Sequence, residues 1–402
     1  VRAGSMSQEE LTVAEACMCR SRGHCAVMGT ASTMACMVES LGLSLPGNAA
    51  IPAADSRRKV LAQISGQRIV EMVKENLRLS DILTREAFEN SIMVNAAIGG
   101  STNFVLHLLA IAGRIGVPLT IEDFDKYSNH IPLIANLQPS GEFFMEDLYY
   151  AGGLPAVMKE LDSVLHKNCK TVNGRSISQN YEDAECFNKN VIATMKDSFN
   201  PTSGIVVLKG NLCEEGAVIK PSAASKKLMQ HTGKAVVFES IEDYNARVDD
   251  PNLDIDENSV MVLKNVGPIG YPGMPEVGNM ALPKKIVEKG IHDMVRISDG
   301  RMSGTGFGTV VLHVSPEAAA GKNFSLIENG DMITLDVAGR KLNVNLSDEE
   351  LEKRKAKHKP AHVVAGRGYV GLYQRHVEQA HLGADLNFLK GGSGSEVSRD
   401  SH

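Results

Sequence analysis

The sequence has no long hydrophobic run. Apolar stretches such as Phe104 to Ala112 are interrupted by His107 and stay well short of the roughly 20 residues that a membrane-crossing helix needs. It also lacks a block of one charge. Lys and Arg are scattered singly or in short mixed runs such as Glu352-Lys353-Arg354-Lys355, charged residues make up 22%, and the net charge is -6. Without a basic stripe, nucleic acid is excluded as the expected partner, and so is a membrane. Val1 to Glu15 has neither a basic and apolar leader nor an Arg-rich transit pattern. Because the chain opens on Val1 rather than Met, the expectation is a truncation, a processing product or an expression boundary. Cysteines are few: seven in 402 residues, an odd number, with four of them between Cys17 and Cys36. That pattern does not suit a secreted disulfide framework, and a reducing cytoplasm is expected.

A chain of this length holds two or three domains at about 150 residues each. In the first half, Val60, Ile64, Ile69, Val70 and Val73 recur at roughly helical spacing and predict an amphipathic helix over 60–75. A second helix is predicted from Ser101 or Thr102, as N-caps, to Gly113 or Gly116, and a third over 81–90. After Asp197 the texture changes to short β-branched runs separated by Gly, Pro and Asn, at 205–208, 217–219, 235–238, 260–263, 294–297, 309–314 and 332–337. The expected organisation is an α/β unit over 1–198 and a β-rich, barrel-like unit over 199–402. The charged stretch 353–360 leaves the sheet, and 370–379 forms a closing helix.

Four loops could carry chemistry. In 21–34 a Gly-containing turn delivers Cys25 just ahead of a helix, whose positive end favours a thiolate fit for a metal or for nucleophilic attack; a structural cysteine is the alternative. Cys17 and Cys19 are spaced wrongly for a zinc pair, and Cys36 suits core packing. In 265–276 three prolines and three glycines shape a rigid loop that ends in Glu276, an oxygen ligand for a hard cation such as Mg²⁺ or, alternatively, the first acid of a helix over 277–287. In 297–308 a Gly-rich turn after a strand could form an anion nest or stabilise an alkoxide on Ser303, with Arg301 the nearest positive charge in sequence; an ordinary turn is the alternative. Its glycines do not fit dinucleotide or P-loop spacing. The fourth, 95–103, could bind an anion at a helix start or simply cap that helix.

Taken in order, Gly23 to Met34, Glu39 to Gly47, Ala96 to Asn103, Gly267 to Glu276 and Ser298 to Gly304 resemble the dihydroxy-acid and sugar-acid dehydratase family over essentially the whole chain. Met28-Gly-Thr30, Gly270 to Asn279 and Asp400-Ser-His402 look most like its pentonate branch. The resemblance implies a remnant of an α/β/α N-terminal domain followed by a β-barrel-like one. It implies a [2Fe-2S] cluster with Cys25 as the last of three cysteines, and Mg²⁺ with Glu276 as the last ligand. It further implies Ser303 as the base, Thr305 as its assistant, and His402 as a residue that reaches the active site. The family's earlier segment, with two cluster cysteines, two carboxylate ligands and a modified lysine, has no counterpart here, so the chain is expected to begin part-way through that domain. The implied reaction removes water from a 2,3-dihydroxy acid: the magnesium binds the carboxylate and 2-hydroxyl, an open cluster iron takes the 3-hydroxyl, and Ser303 removes the C2 proton. A small sugar-acid substrate and a homo-oligomer, dimer or tetramer, are expected. A branched-chain dihydroxy-acid dehydratase and a non-catalytic sugar-acid-binding remnant are the competing readings.

Overall fold

The computed structural model describes residues 1–2, 4–18, 22–201, 204–358 and 365–391. The second half is built on Val206–Gly210 (β1), Cys213–Ile219 (β2), Gln230–Phe238 (β3), Val260–Leu263 (β4), Arg296–Ser298 (β5), Val310–Ser315 (β6), Met332–Asp336 (β7) and Lys341–Val344 (β8). These close into a barrel in the order β1-β2-β6-β5-β4-β3-β7-β8. Every β-branched run marks a strand, and in β4, β5, β6 and the second half of β3 the reason is burial on both faces. Along β3, Ala235 and Val237 join an inner cluster with Val260, Val262, Ile297 and Val311. Val236 and Phe238, on the other face, pack with Met261, Leu263 and Tyr244. Strands covered on both sides read as continuous apolar runs. β8 was missed because Lys341-Leu-Asn-Val344 is short and buries only alternate residues.

The first half is helical: Gln8–Met18 (α1), Thr30–Ser40 (α2), Ser56–Glu75 (α3), Leu79–Ile82 (α4), Arg85–Ile98 (α5), Asn103–Ile115 (α6), Ile121–Ser128 (α7), Met145–Tyr150 (α8) and Gly153–Glu160 (α9). Among the described residues before β1 there are isolated bridges, such as Ala135 with Ile192, but no strand. The molecule is therefore a mixed helix and sheet protein in which, among the described residues, the named strands all lie in the barrel. Its largest core joins α5 and α6 to the barrel wall, where Phe88, Phe104 and Leu108 cluster with Val218, Val310 and Leu312.

Two helix expectations need correction. α3 forms, but Val60, Ile64, Ile69, Val70 and Val73 are all exposed. At 100° per residue Val60 and Ile69 lie on opposite sides, so these residues make no single stripe. The inward face is Leu61, Arg68 and Met72, where Leu61 and Met72 share a small cluster and Arg68 Nε donates to the Val172 carbonyl at 2.5 Å. The 81–90 helix is two helices, because Thr84 caps the second by accepting from Ala87 N at 3.4 Å. Beyond the barrel, Ile241–Arg247 (α10) and Lys284–Val287 (α11) flank its outer face, Asp348–Lys357 (α12) carries the charged stretch, and Gly368–His376 (α13) lies where a closing helix was expected.

β4, β5 and β6 pair in parallel. The loops that follow them therefore leave from one rim of the barrel, and crevices outside the carboxyl ends of parallel strands are where such folds place ligands. Among the described residues no helix is long and apolar enough to cross a membrane.

Candidate active site

The turn after β5 carries Ser303. Its Oγ lies 3.0 Å from Thr305 Oγ1, and Thr305 N donates to it at 3.4 Å. Of the two readings of this loop, the ordinary turn is the one that forms, not an anion nest: Gly304 N donates to Thr30 Oγ1 at 3.3 Å, Gly306 N to the Ser303 carbonyl at 2.9 Å and Gly308 N to the Ala223 carbonyl at 2.8 Å. Arg301 is also engaged elsewhere. Its Nε donates to the Met274 carbonyl at 2.6 Å, and its Nη1 sits 3.8 Å from Glu276 Oε1.

The loop after β4 ends in Glu276, which starts no helix, since the next one is α11. Its carboxylate accepts from Asn103 Nδ2 and, at 3.5 Å, from Thr30 Oγ1, and the side chain keeps 35% exposure. Asn103 also donates to Thr30 Oγ1 at 2.9 Å and to the Met302 carbonyl at 3.1 Å. Thr30 is thus the junction of four segments: it opens α2, meets Ser101 Oγ at 3.2 Å, and touches both barrel loops. Close backbone approach makes this possible. A Cβ at Gly304 would fall 2.7 Å from Thr30 N and 2.8 Å from Ser101 Cβ.

The turn ahead of α6 caps the helix with protein groups. Ser101 Oγ accepts from Asn103 N at 3.2 Å, Thr102 makes no side-chain cap, and Ser101 N donates to Thr33 Oγ1 at 3.0 Å. Its reading as an anion site is not supported. Thr30, Ser101 and Asn103 were not singled out as site residues from sequence. They stand inside motifs that carry the family resemblance, but nothing local to them says that they meet Glu276.

Cys25 lies on the helical side of the junction and is exposed; His24 Nδ1 is 2.8 Å from the Cys25 carbonyl oxygen and 3.4 Å from Ser32 Oγ. Cys36 is buried in α2, and burial pushes its thiol far above the usual range, which suits packing alone. Cys17 is exposed on α1, whereas Cys19 and His402 lie outside the described residues. Beside Arg301 a cleft of about 530 Å³ opens between α2, α6 and α13, walled by Met34, Met37, His107, Met274 and Tyr373.

The donors can be weighed against the cofactors that the resemblance implies. A hard cation is compatible: Glu276 supplies a carboxylate, and Asn103 Oδ1 beside it is buried without a hydrogen-bond partner. Mg²⁺ is commonly held by one or two carboxylates with water and substrate oxygens. An iron-sulfur cluster needs more thiolates than the described residues bring here. Cys25 is a single one, and no group of three or more His, Cys, Asp or Glu suited to a metal occurs among the described residues.

Residues 1–180 match the N-terminal model of the dihydroxy-acid/6-phosphogluconate dehydratases, and residues 190–384 match the C-terminal one. The chain belongs to the dihydroxy-acid/6-phosphogluconate dehydratase family. It is 57% identical over 404 residues to an L-arabinonate dehydratase of Rhizobium leguminosarum bv. trifolii, covering 100% of this chain and 70% of the relative. It is 54% identical over 411 residues to an L-arabonate dehydratase of Azospirillum brasilense, with the same coverage. A dihydroxy-acid dehydratase of Caldanaerobacter subterraneus is 42% identical over 395 residues, covering 98% of this chain and 70% of the relative. Members of the family are dehydratases, so the chain is by family a hydro-lyase.

Proposed function

We propose that this protein dehydrates an aldonic acid of the pentonate class to the 2-keto-3-deoxy acid, and that Ser303, Thr305, Glu276 and Cys25 are its share of the active site. The observation that carries the reading is the junction at Thr30. There Gly304 N, next in sequence to Ser303, and the Glu276 carboxylate, from neighbouring barrel loops, both meet Thr30 in the segment that follows Cys25. The greater identity to the arabinonate enzymes than to the dihydroxy-acid dehydratase favours a sugar acid over a branched-chain one.

In this reading Ser303 Oγ takes the C2 proton, and the Thr305 hydroxyl at 3.0 Å holds that oxygen in place. Glu276, steadied by Asn103 and Thr30, holds Mg²⁺. A cation there would draw charge from the substrate's carboxylate and 2-hydroxyl and make the C2 proton more acidic. Ser303 acts as the alkoxide: as it takes the C2 proton the C2=C3 double bond forms and the C3–O bond breaks, the proton then passes from Ser303 to the departing hydroxide to give water, and the enol tautomerises to the keto acid. Cys25 is proposed as one ligand of a [2Fe-2S] cluster whose other ligands are not among the described residues, and His402 as a further group at the substrate. Two units divided near residue 198, a cytoplasmic setting and a homo-oligomer complete the proposal.

The test is a substrate panel. With iron, sulfide and Mg²⁺ supplied, keto-acid formation is followed from L-arabinonate, D-xylonate, D-gluconate and 2,3-dihydroxyisovalerate. A pentonate is expected to give the highest kcat/KM. Preference for dihydroxyisovalerate would overturn the substrate class, and the absence of both product and cluster absorbance would favour a binding role.

A further inference from the structure

Two carboxylates at the barrel rim take no part in the chemistry just described, yet both are fully buried: Asp299 and Glu317 each show 0% exposure. Among the described residues neither forms an ion pair. Their acceptors are filled by backbone amides and, for Glu317, by one side-chain amide as well. Asp299, just after β5, accepts from Asn265 N at 3.1 Å and Val266 N at 3.0 Å in the loop after β4, and from Ala318 N at 3.0 Å after β6. Glu317, just after β6, accepts from Ile269 N at 2.9 Å, from Gly270 N at 2.8 Å and from Gln379 Nε2 at 2.7 Å. Burying a carboxylate is costly unless several N–H groups meet it, and here two are buried side by side to serve one loop.

That loop has no regular structure of its own. Its far end is pinned by the turn that carries Ser303: Gly278 N donates to the Arg301 carbonyl at 2.7 Å, and Arg301 Nε donates to the Met274 carbonyl. Its near end depends on Asp299 and Glu317. The fit is close, since a Cβ at Gly267 would lie 2.7 Å from Glu317 Oε2.

We propose that Asp299 and Glu317 are positioning residues: together they lash the loops after β4, β5 and β6 into one body and so fix the Glu276 carboxylate relative to the Ser303 hydroxyl. This rests on the reading of Glu276 as the cation ligand. Removing either carboxylate frees the 265–270 amides, lets the segment up to Gly278 shift, and weakens cation binding without touching the cation.

The experiment has two readouts on the whole protein. Hydrogen exchange of the backbone amides is compared for wild type, Asp299→Asn, Glu317→Ala and the milder Glu317→Gln. Manganese binding, read by the electron paramagnetic resonance of Mn²⁺, is compared for the same set and Glu276→Gln. We expect exchange at 265–270 and onward through 271–278 to rise at least tenfold in Glu317→Ala and less in Glu317→Gln. We also expect the Mn²⁺ dissociation constant to rise about tenfold, with the barrel strands still protected. Unchanged exchange in 271–278 would overturn the positioning role. Manganese binding that is absent in wild type, or equal in wild type and Glu276→Gln, would instead overturn the reading of Glu276, and exchange would still decide the role of the carboxylate pair.

Discussion

The two sides of the proposed site are built differently. On the barrel side, Glu276 and Ser303 stand on loops that leave adjacent parallel strands and are tied down by the buried Asp299 and Glu317 and by the half-buried Arg301 side chain. On the helical side, Cys25 is exposed in a loop ahead of α2, and α1, which precedes it, buries no residue. The lesson concerns preorganisation: a base and a cation ligand must be held within a fraction of an ångström of their working geometry, and the barrel side supplies that support from within the described residues. The thiol's surroundings supply much less of it.

The sharpest way to break the contrast is at the junction where the sides meet. Gly304→Ala places a Cβ 2.7 Å from Thr30 N and 2.8 Å from the Gly29 carbonyl carbon, both backbone atoms that cannot swing aside. We expect a stability loss of about 1–3 kcal/mol, typical of overpacking, measured by denaturant unfolding, together with a larger fractional loss of turnover as Ser303 is pushed from Thr30. If stability and turnover match wild type, the two sides are not held together as described.

A smaller effect sharpens the picture of the barrel side as dry. His313 in β6 is buried with neither ring nitrogen hydrogen-bonded. Burial, helped by the positive charges of Arg301 and His107, lowers its pKa to about 3. The unfolded chain protonates this residue near 6.5, so its contribution to stability is complete above that pH and is lost progressively as pH falls from about 6.5 towards 3. Asp299 acts in the opposite sense, since burial and the nearby Glu317 raise its pKa to about 7. Its burial therefore costs more as pH rises from about 4 to 7. His313→Asn, at a position whose φ of 57° Asn tolerates, should flatten the acid side of the thermal midpoint profile between pH 7.5 and 5 relative to wild type. An unchanged slope would mean that His313 is solvated.

Much of this was legible in the sequence where one short segment decided the outcome. Strands buried on both faces announce themselves as β-branched runs, and the Pro and Gly spacing of 265–276 leaves an irregular loop as the natural result. Legibility ended where geometry decides. The apolar residues of α3 suggested a buried stripe but point in several directions. The Gly-rich turn after β5 read as an anion nest or an ordinary turn, and only the contacts of its N–H groups, taken by Thr30 Oγ1 and by carbonyls, decide for the turn. The pairing of Asp299 and Glu317 with 265–270 spans tens of residues, and no local pattern marks it. Asn103 was visible as part of a motif, but its contact with Glu276 crosses from the helical half to the barrel.

The central claim is that Ser303 removes the C2 proton on a site assembled at Thr30. The most direct measurement is the rate of keto-acid formation from the best substrate of the panel by wild type and Ser303→Ala, with Mn²⁺ binding as the control for an intact cation site. The expected result is a loss of about 10²–10⁴-fold in kcat with the Mn²⁺ affinity unchanged; retention of kcat within a few-fold would contradict the assignment of Ser303 as the base.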